Sequence, residues 1–318
     1  MPEWRPSITP NIARQRAACL SKIHQFFAER QVMAVETPLL APAPVTDPYL
    51  QAFALQQGDT SAYLQTSPEY AMKRMLAAGF GDIYQICKAF RQEEVGRLHQ
   101  TEFTLLEWYR LDYDHHQLMD EMDALLQYLF DTPNSRRITY AQAFQTILQI
   151  DPYRIDLAAL QALTARTVGS IQGLSTPLRD DCLQLLFSQV IEPTFQGEQP
   201  VLVYDYPASQ AALAKIRQQG DIAVAERFEL YYQGIELANG YHELTDPVEQ
   251  EKRFMQDLAM RVRHKLPAVP IDSALLAAMQ AGLPKCAGVA LGLDRLLVCA
   301  LKQDRIDRVL MSATGVTD

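Results

Sequence analysis

Charged and polar side chains crowd the stretch FRQEEVGRLHQTEFTLLEWY, which joins two apolar, strand-like segments. Because successive side chains of a strand point to opposite faces, Phe103, Glu107 and Tyr109 are predicted to share one face. On the preceding arm, Arg91 and Glu93 share a face in the same way. A single charged pair would be explained by a cross-strand ion pair on a solvated sheet. The density of charge here instead predicts a binding site.

A second polar group lies in ERFELYYQGIELANGYHELTD. Glu229 and Glu236 are on adjoining predicted strands, and Asn239, Tyr241 and Glu243 alternate onto one face. Carboxylates that converge on a sheet repel one another unless a cation or an ammonium group lies between them. The pattern favours magnesium, a cationic substrate or both, and magnesium commonly binds one or two carboxylates together with nucleotide phosphates. A solvated edge hairpin is the alternative explanation.

The stretch GVALGLDRLLVC places Gly288, Gly292, Asp294 and Arg295 where a strand is predicted to turn into a helix. Glycine lets a ligand approach the backbone, and an arginine in the first turn of a helix can meet a phosphate. Packing alone would also explain these glycines. The chain has neither G-x-x-x-x-G-K-[ST] nor G-x-G-x-x-G after a strand, which excludes the standard nucleotide sites of parallel sheets.

The elements that position these residues are predicted to be helices grouped between hairpin-connected strands. A helix starts at Thr9 and Pro10 and runs to about Arg30, a short strand VMAVETP follows, and Ser67 and Pro68 precede the helix YAMKRMLAAG. A hairpin of DIYQICKAFRQ and EFTLLEWYRLD, a helix over 116–130, short helices over 140–193, strands VLVYDYP, RFELYYQ and IELANGYHEL, and helices PVEQEKRFMQDLAMRVRHKL and DSALLAAMQAG complete the order. This order predicts a single α+β domain over 1–318, with an antiparallel sheet flanked by helices.

Composition excludes several classes of protein. The formal charge of −9 opposes a broad nucleic-acid surface, which needs many exposed lysines and arginines. Five scattered cysteines without a C-x-x-C pair predict reduced, mostly buried thiols. No two histidines have metal-ligand spacing on a helix, which argues against a histidine-bound metal. No apolar run approaches the ~20 residues of a membrane span, and the N-terminus has no signal core, so we expect a cytoplasmic protein.

Three stretches resemble, in order, the three motifs of class II aminoacyl-tRNA synthetase catalytic domains. They are FFAERQVMAVETPLL, FRQEEVGRLHQTEFTLLEWY and GVALGLDRLL. Together with TSPEY and IELANGYHEL, they make the similarity strongest to the lysyl branch and extend it over nearly the whole chain. Lysyl-tRNA synthetases carry an N-terminal anticodon-binding domain; here the first motif begins at Phe26, and we expect no such domain. A lysyl-type core with WYR after the glutamate resembles the elongation factor P lysyltransferase family, also described as (R)-β-lysine ligases.

That resemblance implies an ATP-dependent, AMP-forming ligase. Its members activate (R)-β-lysine as an aminoacyl-adenylate and attach it to a lysine side chain of elongation factor P, and lysine is expected to be a poorer substrate. Magnesium as cofactor and a cytoplasmic homodimer formed through the first motif are implied as well. Membrane association is not implied, and the resemblance argues against tRNA as a substrate. A truncated synthetase that charges tRNA, or a non-catalytic amino-acid sensor, remains an alternative.

The resemblance also assigns roles to individual residues, with Arg91 and Arg295 as catalytic residues. ATP is implied to bind at Arg91, Glu93, His99, Phe103, Glu236, Leu237, Gly292 and Arg295. The amino acid is implied to bind at Ser67, Glu69, Glu107, Tyr109, Asn239, Tyr241, Glu243 and Ala290, and magnesium at Glu229 and Glu236. In this scheme Glu93 accepts a hydrogen bond from the adenine amino group, and Phe103 stacks on the base.

Two positions depart informatively from the synthetase pattern. Leu98 occupies the place of a second arginine, for which Arg97 is a possible substitute. Ala290 occupies the place of a glycine in lysyl-tRNA synthetases, and the extra methyl is expected to reshape the pocket floor. The acidic chain does not reveal a docking surface for the acceptor protein, and its basic candidates are Arg136, Arg137, Lys215, Arg217, Arg261, Arg263 and Lys265.

Overall fold

The computed structural model describes residues 6–92, 96–169 and 178–311. Within these ranges the helices are α1 Pro10–Glu29, α2 Glu69–Ala77, α3 His115–Phe130, α4 Tyr140–Leu148, α5 Leu157–Thr167, α6 Arg179–Leu186, α7 Pro247–Arg263, α8 Ser273–Gly282 and α9 Leu293–Ala300. The strands are β1 Met33–Ala34, β2 Leu40–Ala41, β3 Ala54–Gln57, β4 Thr60–Leu64, β5 Ile83–Phe90, β6 Glu102–Leu111, β7 Arg136–Thr139, β8 Val201–Pro207, β9 Ile216–Gln219, β10 Ile222–Tyr232, β11 Ile235–His242 and β12 Cys286–Gly292. None of the described helices is long and apolar enough to cross a lipid bilayer.

Most strands of the described residues form one large sheet with the order β1-β5-β6-β12-β11-β10-β8-β7, and β9 pairs with β10 at the side. The central pairs are antiparallel, which confirms the prediction for the part of the sheet that carries the polar residues. The two edge pairs, β1–β5 and β7–β8, are parallel. Each edge pair is joined by a long crossover, through α2 or through α4–α6, because parallel neighbours cannot be joined by a tight turn.

Local sequence explains where several elements begin. The Thr9 hydroxyl accepts a hydrogen bond from the amide of Ile12 at 3.3 Å, and Pro10 occupies the first helical position of α1. α3 begins at His115, one residue before the predicted start, because the Asp114 carboxylate accepts hydrogen bonds from the amides of His116 and Gln117, both at 2.9 Å. The strand expected at VMAVETP is limited to the two residues of β1.

The back face of the large sheet packs against α1 and α3. Trp108 is fully buried there, and the ring of Phe27 lies 5.5 Å from it, centroid to centroid. Met122 and Leu125 of α3 complete this core. Because Trp108 and Glu107 are consecutive on β6, burial of the tryptophan at the back fixes the glutamate at the front.

A buried ion pair ties α1 to the other two motif segments. Arg16 Nη1 lies 2.6 Å from Asp294 Oδ1 in α9, and Arg16 Nη2 donates to the Thr104 hydroxyl of β6 at 2.9 Å. Asp294 Oδ2 accepts from the Thr104 amide at 2.6 Å. Asp294 is therefore a structural residue, and it orients the strand that precedes Glu107.

β12 lies between β6 and β11 and aligns the polar residues of both neighbours. Its register places Ala290 directly opposite Glu107 on one side and Asn239 on the other. β10 and β11 are joined by Gln233 and Gly234, with φ angles of 53° and 71°, a two-residue turn of the kind that hairpins favour. The predicted hairpin boundary at Gly234 is confirmed.

Candidate functional site

The front face of the large sheet is the floor of a cavity of about 660 Å³. Strands β6, β12, β11 and β10 supply the floor, and the loop before α2 and the segment from α6 to Glu192 supply walls. The predicted site residues that line it are Ser67, Glu69, Arg91, His99, Phe103, Glu107, Tyr109, Glu229, Glu236, Leu237, Asn239, Tyr241, Ala290, Gly292 and Arg295. Glu243 lies beneath this lining, and Glu93 falls outside the described residues. Residues from Ser67 to Arg295 thus share one cavity.

Glu107 is a buried carboxylate at the acidic end of the cavity, and each of its oxygens accepts a hydrogen bond. The Ser67 hydroxyl donates to Glu107 Oε2 at 2.7 Å, and the Tyr109 hydroxyl donates to Oε1 at 2.8 Å. Burial, with the nearby charge of Glu69, raises the pKa of Glu107 to about 7. A cationic ligand would favour the ionised form of this carboxylate, so Glu107 is set to release a proton when an ammonium group binds beside it.

Lys73 is a central residue of this end that sequence reasoning missed. Its Nζ lies 2.6 Å from Glu69 Oε1 and 2.6 Å from Glu243 Oε2, and its side chain is 1% exposed. Burial alone would lower the pKa of Lys73, but the two carboxylates reverse this and raise it, so the lysine stays charged. Part of the positive charge that the convergent acids require is therefore supplied by the protein. The spacing of Glu69 and Lys73, four residues apart on a helix, was the available signal.

Glu243 is held below the floor by Lys73. Burial raises its pKa to about 8, even though the adjacent ammonium of Lys73 opposes the shift. The isolated bridge between Glu243 and Ala214 fixes its backbone after the end of β11. Four ionisable groups, three acids and one lysine, thus form a buried group that we name the acid pocket: Glu69, Lys73, Glu107 and Glu243.

Gly288 allows the acid pocket to be assembled. It lies opposite both Tyr109 and Tyr241 in the sheet. A methyl group at this position would overlap the ring of Tyr109 and would lie 2.7 Å from Glu243 Oε1. Position 288 of β12 must therefore lack a side chain, so that Tyr109 and Glu243 can occupy their observed positions.

Two arginines mark the opposite end of the cavity. The guanidinium carbon of Arg91 lies 5.0 Å from the ring centroid of Phe103. Arg295 donates to the carbonyl oxygens of Glu236 at 3.0 Å and Leu98 at 3.2 Å, which fixes its side chain against β11. Both arginines line the cavity, where a guanidinium group can meet an anionic ligand.

The alternative that Arg97 replaces the missing second arginine is not supported. Arg97 is exposed, donates to the carbonyl oxygen of Asp304 at 3.0 Å and does not line the cavity, whereas Leu98 does. Among the candidate docking residues, Arg217 pairs with Asp205 at 2.6 Å and Arg261 donates to the carbonyl oxygen of Pro267 at 3.1 Å. These two side chains are engaged within the fold.

Carboxylates converge near Arg295. Glu229 accepts hydrogen bonds from the hydroxyls of Tyr206, at 2.6 Å, and Tyr231, and also pairs with Arg227. Glu192, which sequence reasoning missed, faces the same region, and burial together with the charges of Glu236 and Glu229 raises its pKa to about 7.

Glu236 shares this environment, because burial and the neighbouring Glu229 raise its pKa as well. A divalent cation would relieve the repulsion among these acids, so the residues fit magnesium. Since Glu229 already has three donors, Glu236 and Glu192 are the carboxylates best able to bind the ion. The predicted pair was Glu229 and Glu236, and the contacts favour Glu192 over Glu229 as the partner of Glu236.

A second polar cluster lies on the back of β11. It brings His115, His242 and Glu226 together, with potential ligand atoms within 4.8 Å of one another, which helical spacing could not predict. Glu226 pairs with His242 and lies 3.4 Å from Arg217, which also pairs with Asp205. Because the carboxylates already have cationic partners, we interpret this cluster as an ion-pair network that supports β11 from behind.

Comparisons with known proteins agree with the geometry of the cavity. The family model for class II tRNA synthetases (D, K and N) matches residues 3–313. A protein of Vibrio cholerae named elongation factor P--(R)-beta-lysine ligase is 50% identical over 315 residues, which cover 96% of each chain. Proteins of the same name are 49% identical in Salmonella arizonae, over 315 residues, and in Photobacterium profundum, over 314 residues, again with 96% of each chain covered. The chain therefore belongs to the family of class II tRNA synthetases (D, K and N).

Proposed function

We propose that this protein is an ATP-dependent, AMP-forming ligase that activates (R)-β-lysine, and lysine less well, and transfers it to a lysine side chain of elongation factor P. The observation that carries the proposal is the combination of two arginines and an acid pocket within one cavity. Arg91 and Arg295 suit a polyphosphate, and the acid pocket suits an amino acid with two ammonium groups. The names of relatives about half identical to this chain supply the acceptor.

In the first step, a carboxylate oxygen of the amino acid attacks the α-phosphorus of ATP, and pyrophosphate leaves. Arg91 would contact both the carboxylate and the α-phosphate, which brings the reacting atoms into line and stabilises the charge that develops on phosphorus. Arg295 and His99 would bind the outer phosphates, with Phe103, Leu237 and Gly292 around the rest of the nucleotide. The Phe103 ring would stack on adenine, and Glu93 would accept from its amino group.

In the second step, the ε-amine of the acceptor lysine attacks the carbonyl carbon of the adenylate. AMP leaves, an amide bond forms and the amine gives up a proton. The mixed anhydride is already activated, so the protein needs no covalent nucleophile. Catalysis rests on positioning and on stabilisation of charge.

The amino groups of the substrate would divide between two parts of the acid pocket. Glu69 and Glu107 would meet the amino group nearer the carboxylate, and Tyr109 and Glu243 would meet the ammonium at the end of the side chain. Ser67, Asn239, Tyr241 and Ala290 shape the space between them. In support, Ser67 holds Glu107 at 2.7 Å, and Asn239 donates to the Tyr241 hydroxyl at 2.9 Å.

Magnesium would be held by Glu236, with Glu192 and Glu229 beside it. Bound there, the ion would neutralise negative charge on the phosphates of ATP. Arg227 forms an ion pair with Glu229. The guanidinium of Arg295 donates a hydrogen bond to the backbone carbonyl oxygen of Glu236.

We also propose that the described residues belong to a single catalytic domain that acts in the cytoplasm as a homodimer. In support of the dimer, three large apolar side chains within the first motif are exposed: Met33 by 44%, Leu39 by 40% and Leu40 by 42%. Adjacent exposed apolar side chains are typical of protein interfaces.

Intact-protein mass spectrometry of elongation factor P tests the proposal. After incubation with the enzyme, ATP, magnesium and (R)-β-lysine, the acceptor should gain the mass of one lysyl residue, and lysine should give a slower gain. A parallel arm with tRNA as acceptor should give no aminoacylated product. Transfer to tRNA without modification of elongation factor P would overturn the proposed acceptor, and activation without any transfer would do the same.

A further inference from the structure

We infer that Lys73 is a specificity-determining residue: its buried ammonium positions Glu69 and Glu243 and sets the net charge of the acid pocket to that which a substrate with two ammonium groups neutralises. This inference rests on the proposed function, because it concerns the amino acid that the same cavity would take. No role in the resemblance or in the names of the relatives falls on Lys73.

The position of Lys73 between two carboxylates supports this role. Lys73 binds one oxygen of each partner, Glu69 Oε1 and Glu243 Oε2, at 2.6 Å. Each partner keeps its second oxygen for another donor, and Glu243 Oε1 is the atom that lies next to Gly288. Lys73 therefore joins α2 to the end of β11 and turns the remaining oxygens of both acids in fixed directions. Because the side chain of Lys73 is almost completely buried, its ammonium group cannot bind solvent water in place of these carboxylates.

The net charge of the acid pocket also matches the charge of a substrate with two ammonium groups. The acid pocket has three carboxylates and one ammonium, so two negative charges are left without a partner when all three acids are ionised. A substrate with two ammonium groups matches this number. An amino acid with one ammonium would leave a carboxylate buried without a counter-charge, which is strongly unfavourable. Without Lys73, the same diammonium substrate would leave one negative charge unmatched.

Protonation of a carboxylate could partly replace the charge of Lys73 in a variant that lacks it. The pKa of Glu107 is raised to about 7 and that of Glu243 to about 8, so these acids can take up protons near neutrality. If Lys73 lost its charge, a protonated carboxyl could stand in for it at low pH but not at high pH. The defect of an uncharged variant should therefore grow as the pH rises. A lysine with a merely structural role would give a defect independent of pH.

Calorimetric titration of (R)-β-lysine into wild-type protein and into Lys73→Gln between pH 6 and 8.5 tests the inference. Glutamine keeps hydrogen-bond donors but removes the charge. We expect Kd to rise about 30-fold or more at pH 8.5, the order for loss of a buried charge partner, and clearly less at pH 6. Lys73→Arg, which keeps the charge, should retain the wild-type pH profile, and the KM for ATP should stay within about twofold in both variants.

The controls separate the possible failures. Lys252→Met removes an exposed lysine, paired with Glu249 three residues before it on α7 and 65% exposed, and should change nothing. If wild-type protein does not bind (R)-β-lysine, the proposed function fails. If it binds, but Lys73→Gln matches it at every pH or shows the same loss at every pH, the inference is overturned. If Lys73→Gln does not fold, a loss in folded Lys73→Arg that grows with pH overturns it equally.

Discussion

The ring of Tyr109 packs directly on the backbone of Gly288, so closely that a single methyl group on the glycine would overlap it. The contact holds Tyr109 in hydrogen-bond range of Glu107, whose carboxylate accepts from its hydroxyl at 2.8 Å. At this point the floor of the cavity is thus formed by the glycine backbone of β12 and by the large side chains of the neighbouring strands.

Replacement of Gly288 by alanine should damage binding of the amino acid and spare binding of ATP. The new methyl would push Tyr109 away from Glu107 and would crowd Glu243 Oε1. Each displaced hydrogen bond to a charged group is worth ~1.5 to 3 kcal/mol, so KM for (R)-β-lysine should rise by about tenfold or more. Steady-state ATP–pyrophosphate exchange measures both KM values.

Gly96→Ala is the matched control, because a methyl at Gly96 would meet open space. It should leave both KM values unchanged. An equal rise in both KM values for Gly288→Ala would contradict this explanation, since it would indicate a general disturbance of the sheet.

Replacement of Ala290 by glycine should shift preference toward lysine. The methyl of Ala290 lies between Glu107 and Asn239, and its removal opens space beside the carboxylate that meets the nearer amino group. One methyl changes discrimination by ~1 to 3 kcal/mol, so the ratio of kcat/KM for lysine over (R)-β-lysine should increase by about tenfold. An unchanged ratio, measured with both amino acids in competition, would show that Ala290 does not determine the choice.

Binding of the amino acid should strengthen as the pH rises from 6 to 8.5. The pKa values of Glu107 and Glu243 are raised to about 7 and about 8, so both acids carry protons at pH 6 that diammonium ligands must displace. The same shifts predict that the unliganded protein loses stability as the pH rises. The folded state holds more protons than the unfolded state between the ordinary glutamate pKa of 4.5 and these raised values.

Thermal unfolding with and without saturating (R)-β-lysine, over this pH range, measures both effects. The melting temperature of the free protein should fall with pH, and the increase that the ligand gives should become larger. Glu107→Gln should flatten both trends. A ligand effect that is equal at pH 6 and pH 8.5 would contradict the assigned protonation states.

An aspartate at Leu40 should weaken the proposed dimer. Leu40 is exposed, and so are Met33 and Leu39 close to it in sequence, so a buried interface at the first motif would have to cover a new charge. Analytical ultracentrifugation should find the wild-type protein as a dimer and Leu40→Asp with a larger monomer fraction. Val248→Asp, at an exposed position of α7, is the control and should remain dimeric. A monomeric wild-type protein would exclude this interface.

The parts of the site that follow a local period could be predicted from sequence. The alternation on β6 predicted that Phe103, Glu107 and Tyr109 share one face, and all three line the cavity, whereas the neighbouring Trp108 packs in the core. The cavity residues of β11 followed the same rule. The small sheet formed by β2, β4 and β3 was missed, because strands of two to five residues are too short to establish an alternating pattern.

Contacts between distant segments were not predictable in the same way. Lys73 has one partner four residues away and another 170 residues away, and only the first leaves a trace in the sequence. Glu192 reaches the cavity from a short 3-10 turn that follows a π-helical turn after α6, where the α-helical period does not apply. His115 and His242 meet only because α3 packs behind the sheet. Such residues are brought together by topology and not by spacing.

The proposed function requires that Arg91, Arg295 and the acid pocket serve the same reaction. ATP–pyrophosphate exchange that requires (R)-β-lysine tests this most directly, with wild-type protein, Arg91→Ala and Glu107→Gln side by side. We predict exchange for the wild type, almost none for Arg91→Ala at any amino-acid concentration, and exchange for Glu107→Gln that needs far more amino acid. Exchange that proceeds equally well without an amino acid, or that is unaffected by both substitutions, would contradict the account.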